Sequence, residues 1–327
     1  MLREWFVANV TPFVSFVLSG FILAALLSLG LRFLPLDIPN ARSVHTLTIP
    51  RSGGVAILGG AWAGWIMLPD FPASLFWCSL GLSVVSLLDD KFRLPVVPRL
   101  LVQIALIAAF LLAGPSDAMF FPVVLLALVW GTNLYNFMDG ADGIAGGMTL
   151  IGFTCYGLAA WFAGDHVFAV LCFCVAVSAA PFLAFNFHPA KIFMGDVGSV
   201  PLGFLAGALG YVGWHSKIWP LWYPVMVFSP FIVDASVTLL KRLLAREKFW
   251  LPHKSHYYQR YLLMGAGHRR TSLVEFALML GCGVSAWVAL FLHPLGQQLL
   301  LVAWLFTYAA LAIFVDTRWR KFSNASS

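Results

Sequence analysis

Charged residues are scarce in this chain. Its 327 residues include only 14 Asp and Glu and 20 Lys and Arg, 10% of the total, against a hydrophobic fraction of 61%. Soluble domains are roughly a quarter charged, so a molecule wetted on all sides is excluded and lipid is the main solvent. Cysteine is sparse as well. Cys78, Cys155, Cys172, Cys174 and Cys282 all fall inside apolar stretches, without C-x-x-C spacing or a neighbouring histidine pair. That pattern argues against zinc and reads as five buried, reduced side chains. No internal repeat or low-complexity segment stands out.

What the sequence does have is apolar length. A helix crosses the hydrocarbon core with roughly 20 apolar residues. Apolar runs centre on residues 10–34, 53–69, 73–88, 100–114, 119–134, 147–163, 166–185, 198–214, 218–240, 272–292 and 296–315. The expected fold is therefore an all-α polytopic membrane protein with about eleven transmembrane helices, a single integral membrane domain over 1–327. The first run is too long for a signal peptide and lacks a small-residue cleavage site, which predicts a retained span.

Odd-numbered spans then end on one face, which holds 18 of the 20 Lys and Arg residues and leaves Arg3 and Lys217 on the other. The positive-inside rule makes the basic face cytoplasmic, with the N-terminus outside and the C-terminus in the cytoplasm. The net charge of +6 follows from this topology and from attraction to anionic lipid headgroups, so no nucleic-acid partner is inferred. Pro220, Pro224 and Pro230 predict that span nine is bent or broken, opening a lateral groove. The inner connections, 35–52, 89–99, 135–147, 186–197 and 241–271, are longer than the outer ones and rich in Asp, Asn, His and Gly. Function is expected at that cytoplasmic surface.

Five aspartates lie in three successive inner connections: Asp89 and Asp90, Asp139 and Asp142, and Asp196. A mid-membrane Asp costs roughly 2.5 to 3.5 kcal/mol on insertion scales, and clustered carboxylates repel one another. A bound cation relieves both costs. Oxygen ligands without thiolates suit a hard ion, Mg²⁺, with Mn²⁺ as a possible substitute. Asn133, Asn136, Asp139 and Asp142 recur every three positions, which would align them on one side of a helix end terminated by Gly140 and Gly143. That row suits a nucleobase, a sugar or metal-bound water.

Pro50, Arg51, Ser52, Gly53 and Gly54 start span two, where a helix N-terminus could meet a phosphate. The alternative is a turn followed by small-residue helix packing. Arg51 is the stronger phosphate candidate. The last inner loop carries Arg246, Lys248, His253, Lys254, His256, Arg260, Arg269 and Arg270, with Trp250, Tyr257 and Tyr258 between them. It suits lipid headgroups or a substrate diphosphate, and His253 and His256, three apart, could both face an active site. The alternative for that pair is an interfacial feature. Asp234, after Pro230, is either a bundle-facing structural acid with a helix-end partner or one paired with a lipid headgroup.

Read together, P-R-x-G-G, D-D-x-x-R, N-x-x-N-x-x-D-G-x-D-G, F-N-x-x-P-A-x-x-F-M-G-D-x-G-S and H-x-x-H resemble the polyprenyl-phosphate N-acetylhexosamine-1-phosphate transferase family. The resemblance covers roughly residues 40–262, in order and in topology. It implies transfer of a sugar 1-phosphate from a UDP-linked amino sugar to undecaprenyl phosphate, releasing UMP. It further implies that Asp196, with Asp89, ligands the metal, and that Asp89 or Asp90 assists the acceptor phosphate. His253 and His256 would be catalytic. Arg51, Asn136, Asp139, Asp142 and Asn186 would line the substrate pocket, with Phe193 stacked on uracil.

Direct attack by the acceptor phosphate is the preferred route, and a covalent aspartyl intermediate is the competing one. The run H-K-S-H-Y-Y-Q replaces the H-H-H of the muramyl-pentapeptide branch and looks more like the O-antigen-initiating branch. Donors there include UDP-linked N-acetylglucosamine, N-acetylfucosamine and N-acetylquinovosamine. Family members can be dimers, so a homodimer is a possible assembly. A secondary transporter is the alternative function, but its site should lie near the bilayer midplane, whereas these acids gather at helix ends. The CDP-alcohol phosphotransferases share D-x-x-D-G but continue with an Arg that 144–147 lacks.

Overall fold

The structure, a computed structural model, describes residues 2–29, 35–37, 48–92, 94–114, 119–248 and 253–326. Each of the eleven apolar runs carries helix among the described residues. The first eight are α1 (Leu2–Leu29), α2 (Gly53–Ile66), α3 (Ala73–Phe92), α4 (Val96–Ala113), α5 (Phe121–Phe137), α6 (Ile144–Phe162), α7 (His166–Asn186) and α8 (Asp196–His215). Span nine is a pair, α9 (Trp222–Val227) and α10 (Ser229–Leu244). A short helix α11 (Tyr257–Tyr261) and a π turn (Leu262–Ala266) lead into α12 (Gly267–Ala289) and α13 (Pro294–Ser326). Eight stretches are long and apolar enough to cross a membrane by themselves, and α2 and α5 are shorter apolar helices. The chain is a multi-pass, all-α membrane protein.

The break in span nine follows from Pro230. Proline has no N–H for the carbonyl four residues back, that of Met226. The Ser229 hydroxyl supplies the missing donor at 2.6 Å, so the carbonyl is satisfied although the ladder is interrupted. The bundle centre is α8, whose apolar window is 78% buried, whereas that of α13 is 0% buried and faces outward. Around α8 pack α2, α3, α5 and α6.

Two differences from the sequence expectation matter for the site. Helices extend past the apolar runs. Asp89 and Asp90 stand in the last turn of α3 and Arg99 in the first turn of α4, so the loop expected at 89–99 shrinks to 93–95. Continued helix keeps backbone groups paired where the chain leaves lipid, and polar side chains are tolerated there. The second difference is a two-residue ribbon: β1 (Leu36–Asp37) pairs antiparallel with β2 (Ile49–Pro50). Backbone pairing of so few residues leaves no sequence period to read.

The approach of α2 to α8 is a glycine contact. A Cβ on Gly54 would lie 2.2 Å from the Gly198 Cα, so backbone rather than a flexible side chain would have to move. Gly54→Val is therefore expected to lose the folded protein. A wild-type melting temperature for that variant in detergent would contradict the packing.

Candidate active site

The site is assembled where the N-termini of α2 and α8 meet the C-terminal ends of α3 and α5. The Phe193 N–H donates to the Pro50 carbonyl at 2.8 Å, and the Gly53 and Gly54 N–H groups donate to the Phe193 and Met194 carbonyls at 2.9 Å each. This zipper fixes Arg51 beside the start of α8. It also corrects one sequence reading: the first amides of α2 are consumed by protein backbone, so that helix end is not a phosphate cradle. The glycines serve packing, and Arg51 alone remains as the phosphate candidate of that segment. Gly195 sits at φ +75°, where a Cβ would be 2.6 Å from the Arg51 carbonyl oxygen, which explains a glycine just before Asp196.

Three of the five expected aspartates, joined by Asp37, converge on two arginines. The Arg51 guanidinium lies 3.3 Å from Asp196 Oδ1, 3.8 Å from Asp90 Oδ1 and 4.0 Å from Asp37 Oδ2. The Arg99 guanidinium pairs with Asp89 and stands 3.8 Å from Asp196 Oδ2. Asp89 also accepts from the Leu94 N–H at 2.8 Å, so both its oxygens are engaged. Asp90 keeps a long 3.4 Å bond from the Val197 N–H. Asn136, in the last turn of α5, accepts from Ser199 Oγ at 2.6 Å and turns its amide to Asp196.

Beside this cluster opens a cleft of about 460 Å³, lined among others by Asp37, Arg51, Asp139, Asp142, Asn186 and Phe193. Burial pushes the Asp139 carboxyl well above its ordinary range; Arg51 opposes this, and Asp196 and Asp90 reinforce it. Five acids, Asp37, Asp89, Asp90, Asp139 and Asp196, thus face two cations. Oxygen donors in such excess are the type a hard divalent ion takes, and Asp196 and Asp90 both stand within 4 Å of the Arg51 guanidinium. Arg99 already occupies Asp89.

Asp142 has a different setting. His188 Nδ1 lies 2.7 Å from its Oδ2 and His268 Nδ1 3.2 Å from its Oδ1. Burial alone would raise this carboxyl, but the two imidazoles outweigh it and hold it below the usual range. Asn186 is a fastener: its Oδ1 accepts from the Gly143 N–H and its Nδ2 donates to the Ile192 carbonyl, both at 2.9 Å. The expected helical row is therefore split. α5 stops at Phe137, Asn133 turns to Gln103 at 2.9 Å, and only Asn136, Asp139 and Asp142 reach the site. Gly143, at φ +82°, caps the start of α6 rather than ending α5. Gly140 leaves room for the Tyr258 hydroxyl, 2.1 Å from where its Cβ would stand.

His253 and His256 do not line the cleft. His256 is 3% exposed and its Nδ1 lies 3.2 Å from Asp234 Oδ1. The Asp234 carboxylate also accepts the Tyr257 and Tyr258 N–H groups at 2.9 Å each, which settles its role as the helix-end partner of α11. Burial, with His256 and Arg242 beside it, lowers His253 to about 4, so its imidazole is neutral at pH 7. The H-x-x-H segment thus acts as a fixed strut under the end of α5, where Tyr258 Oη donates to the Phe137 carbonyl at 3.2 Å. Arg93 and Trp250 lie outside the described residues.

The glycosyl transferase family 4 profile matches residues 72–213, the part of the chain that carries α3 to α8 and hence Asp89, Asp90, Asp139, Asp142 and Asp196. The probable undecaprenyl-phosphate N-acetylglucosaminyl 1-phosphate transferase of Bacillus subtilis (strain 168) is 28% identical over 322 residues, 89% of this chain and 90% of the relative. Over residues 72–213 the chain is similar to glycosyl transferase family 4. Other similar proteins are the undecaprenyl-phosphate alpha-N-acetylglucosaminyl 1-phosphate transferase of Yersinia pestis, 28% identical with 74% of this chain and 72% of the relative covered. The phospho-N-acetylmuramoyl-pentapeptide-transferase of Geobacillus thermodenitrificans (strain NG80-2) is 26% identical, with 73% and 84% covered.

Sequence reasoning did not single out Asp37, Arg99, His188 or His268. Arg99 and Asp37 carried a signal, as charges beside a lipid boundary. The two histidines carried none, since their partner comes from an element far away in the chain.

Proposed function

We propose that this protein transfers an N-acetylamino-sugar 1-phosphate from a UDP-sugar to undecaprenyl phosphate, giving the lipid diphosphosugar and UMP. The observation that carries this reading is the convergence of Asp90, Asp139 and Asp196 with Arg51 and Arg99 at the helix ends beside one cleft. The names of the similar proteins support a polyprenyl-phosphate acceptor and an N-acetylamino-sugar donor. The reading puts the cleft at the cytoplasmic face of a bacterial inner membrane, which the basic-residue bias supports.

Two anionic phosphates must meet in this reaction. A Mg²⁺ held by Asp196 with Asp90 would screen the donor diphosphate and stabilise the UMP leaving group. Arg51, 35% exposed in the cleft wall, binds the donor diphosphate, and Phe193 offers an aromatic face for the base. Asp142, ionised and held from both sides, accepts a donor hydroxyl or base N–H. A phosphate monoester has a second pKa of roughly 6 and is largely dianionic at pH 7, so the acceptor oxygen attacks directly and needs little help from a base. The H-K-S-H-Y-Y-Q segment points to a donor without a peptide, as in O-antigen initiation and related envelope polysaccharides.

Purified protein with undecaprenyl phosphate, Mg²⁺ and a panel of UDP-N-acetylamino sugars should yield lipid-linked diphosphosugar and UMP by mass spectrometry. Product should form with one donor and vanish on adding EDTA. Folded protein that makes product with none of them would overturn the reading.

A further inference from the structure

Three connections that are distant in sequence bring two imidazoles and a carboxylate together beside the cleft. Asp142 comes from the α5–α6 connection, His188 from the α7–α8 connection and His268 from the first turn of α12. One ligand atom from each lies within 4.8 Å of the others. The two imidazole rings are parallel, with centroids 5.4 Å apart and planes 8° apart. Each addresses a different oxygen of the same carboxylate, which is 7% exposed.

The two histidines meet the carboxylate differently. His188 Nδ1 can donate to Asp142 Oδ2 at 2.7 Å. His268 is in conflict. Its Nδ1 lies 3.3 Å from the Asp142 N–H, a donor, and 3.2 Å from Asp142 Oδ1, an acceptor. A neutral ring nitrogen that accepts from that N–H turns its lone pair on the carboxylate; one that donates to the carboxylate turns its hydrogen on the N–H. Each tautomer therefore leaves one mismatched contact at Nδ1.

We propose that Asp142, His188 and His268 form a binding site for one divalent transition-metal ion of the Zn²⁺ class, distinct from the hard-cation site at Asp196. Two imidazoles with one carboxylate select borderline ions such as Zn²⁺, Co²⁺ or Fe²⁺ over Mg²⁺, which prefers oxygen. Zn–N and Zn–O bonds of about 2.0 to 2.2 Å place neighbouring ligand atoms roughly 3 Å apart or a little more, the spacing the triad approaches. His188 is 41% exposed, which leaves a path for the ion and room for water or substrate in the open positions. Occupancy would pin the α5–α6 and α7–α8 connections to α12 at the cleft edge. The site does not depend on the transfer reaction.

The test is metal retention by the purified full chain, dialysed against micromolar Zn²⁺ with excess Mg²⁺ and analysed by mass spectrometry, together with the visible ligand-field bands of a Co²⁺-loaded sample. One ion per chain and bands of four- or five-coordinate Co²⁺ are expected. His188→Ala and His268→Ala should each weaken binding at least about tenfold, while His293→Ala, in the α12–α13 connection, should not. Wild-type protein that retains no Zn²⁺ overturns the site whatever the variants do. Zn²⁺ retained equally by all three variants also overturns it. Transfer activity is read separately: ion retained without transfer sinks the transferase reading and leaves this site standing, and transfer without retention does the reverse.

Discussion

Asp196→Asn is expected to leave a folded protein whose transfer rate falls at least about 10³-fold, the order lost when a group that organises transition-state charge is removed. Asp196 begins α8, with Oδ1 3.3 Å from Arg51 and Oδ2 3.8 Å from Arg99. No other carboxylate in the cluster faces both guanidinium groups. An amide there keeps the shape but removes the charge that aligns the two arginines and the best-placed ligand for a hard cation. The fold should survive, because α8 is held by its apolar faces and by the Gly54–Gly198 contact rather than by this side chain. Initial rates with the active UDP-sugar and a thermal melt separate the two effects. A variant within tenfold of wild type would remove Asp196 from the reaction; a collapsed melt would make it structural.

Much of this was legible in the sequence because apolar length and charge placement are physical constraints on any chain in lipid. The eleven runs gave the helices, and Pro230 announced the break that Ser229 repairs. The acids in successive inner connections announced a site, since charges near hydrocarbon need a reason. What could not be read is pairing between distant elements. The ribbon that carries Arg51 to Phe193 is too short for a periodic signal, and the role of His256 depends on Asp234, 22 residues away on another helix. Regular spacing misled at Asn133, because a row every three positions continues only as long as the helix does, and α5 stops at Phe137. The H-x-x-H motif was visible as a pattern, but its work, bracing the end of α5, is a property of packing.

Asp90→Asn is expected to cost about 10³-fold in rate, roughly 4 kcal/mol of transition-state stabilisation, and Asp89→Asn clearly less, about tenfold to a hundredfold. From sequence the two adjacent acids are equivalent, and loss of Asp89 alone would be expected to abolish transfer. Their geometry separates them. Asp89 gives one oxygen to the Leu94 N–H and the other to Arg99, so its charge is spent on holding the start of α4 against α3. Asp90, 4% exposed, has only Arg51 at 3.8 Å and the Val197 N–H at 3.4 Å, both long contacts that leave lone pairs for a cation or an acceptor phosphate proton. Asp89→Asn acts through the arginine it releases, which then has Asp196 as its remaining carboxylate. Its effect should therefore overlap with that of Arg99→Gln, and the double variant should lose much less than the product of the two single losses. For Asp90 and Arg99 the losses should come closer to multiplying. Rates for the three single and two double variants, measured on protein with wild-type melts, decide the order. Asp89→Asn falling as far as Asp90→Asn, with no overlap with Arg99→Gln, would make Asp89 the acting carboxylate and Arg99 merely its neighbour.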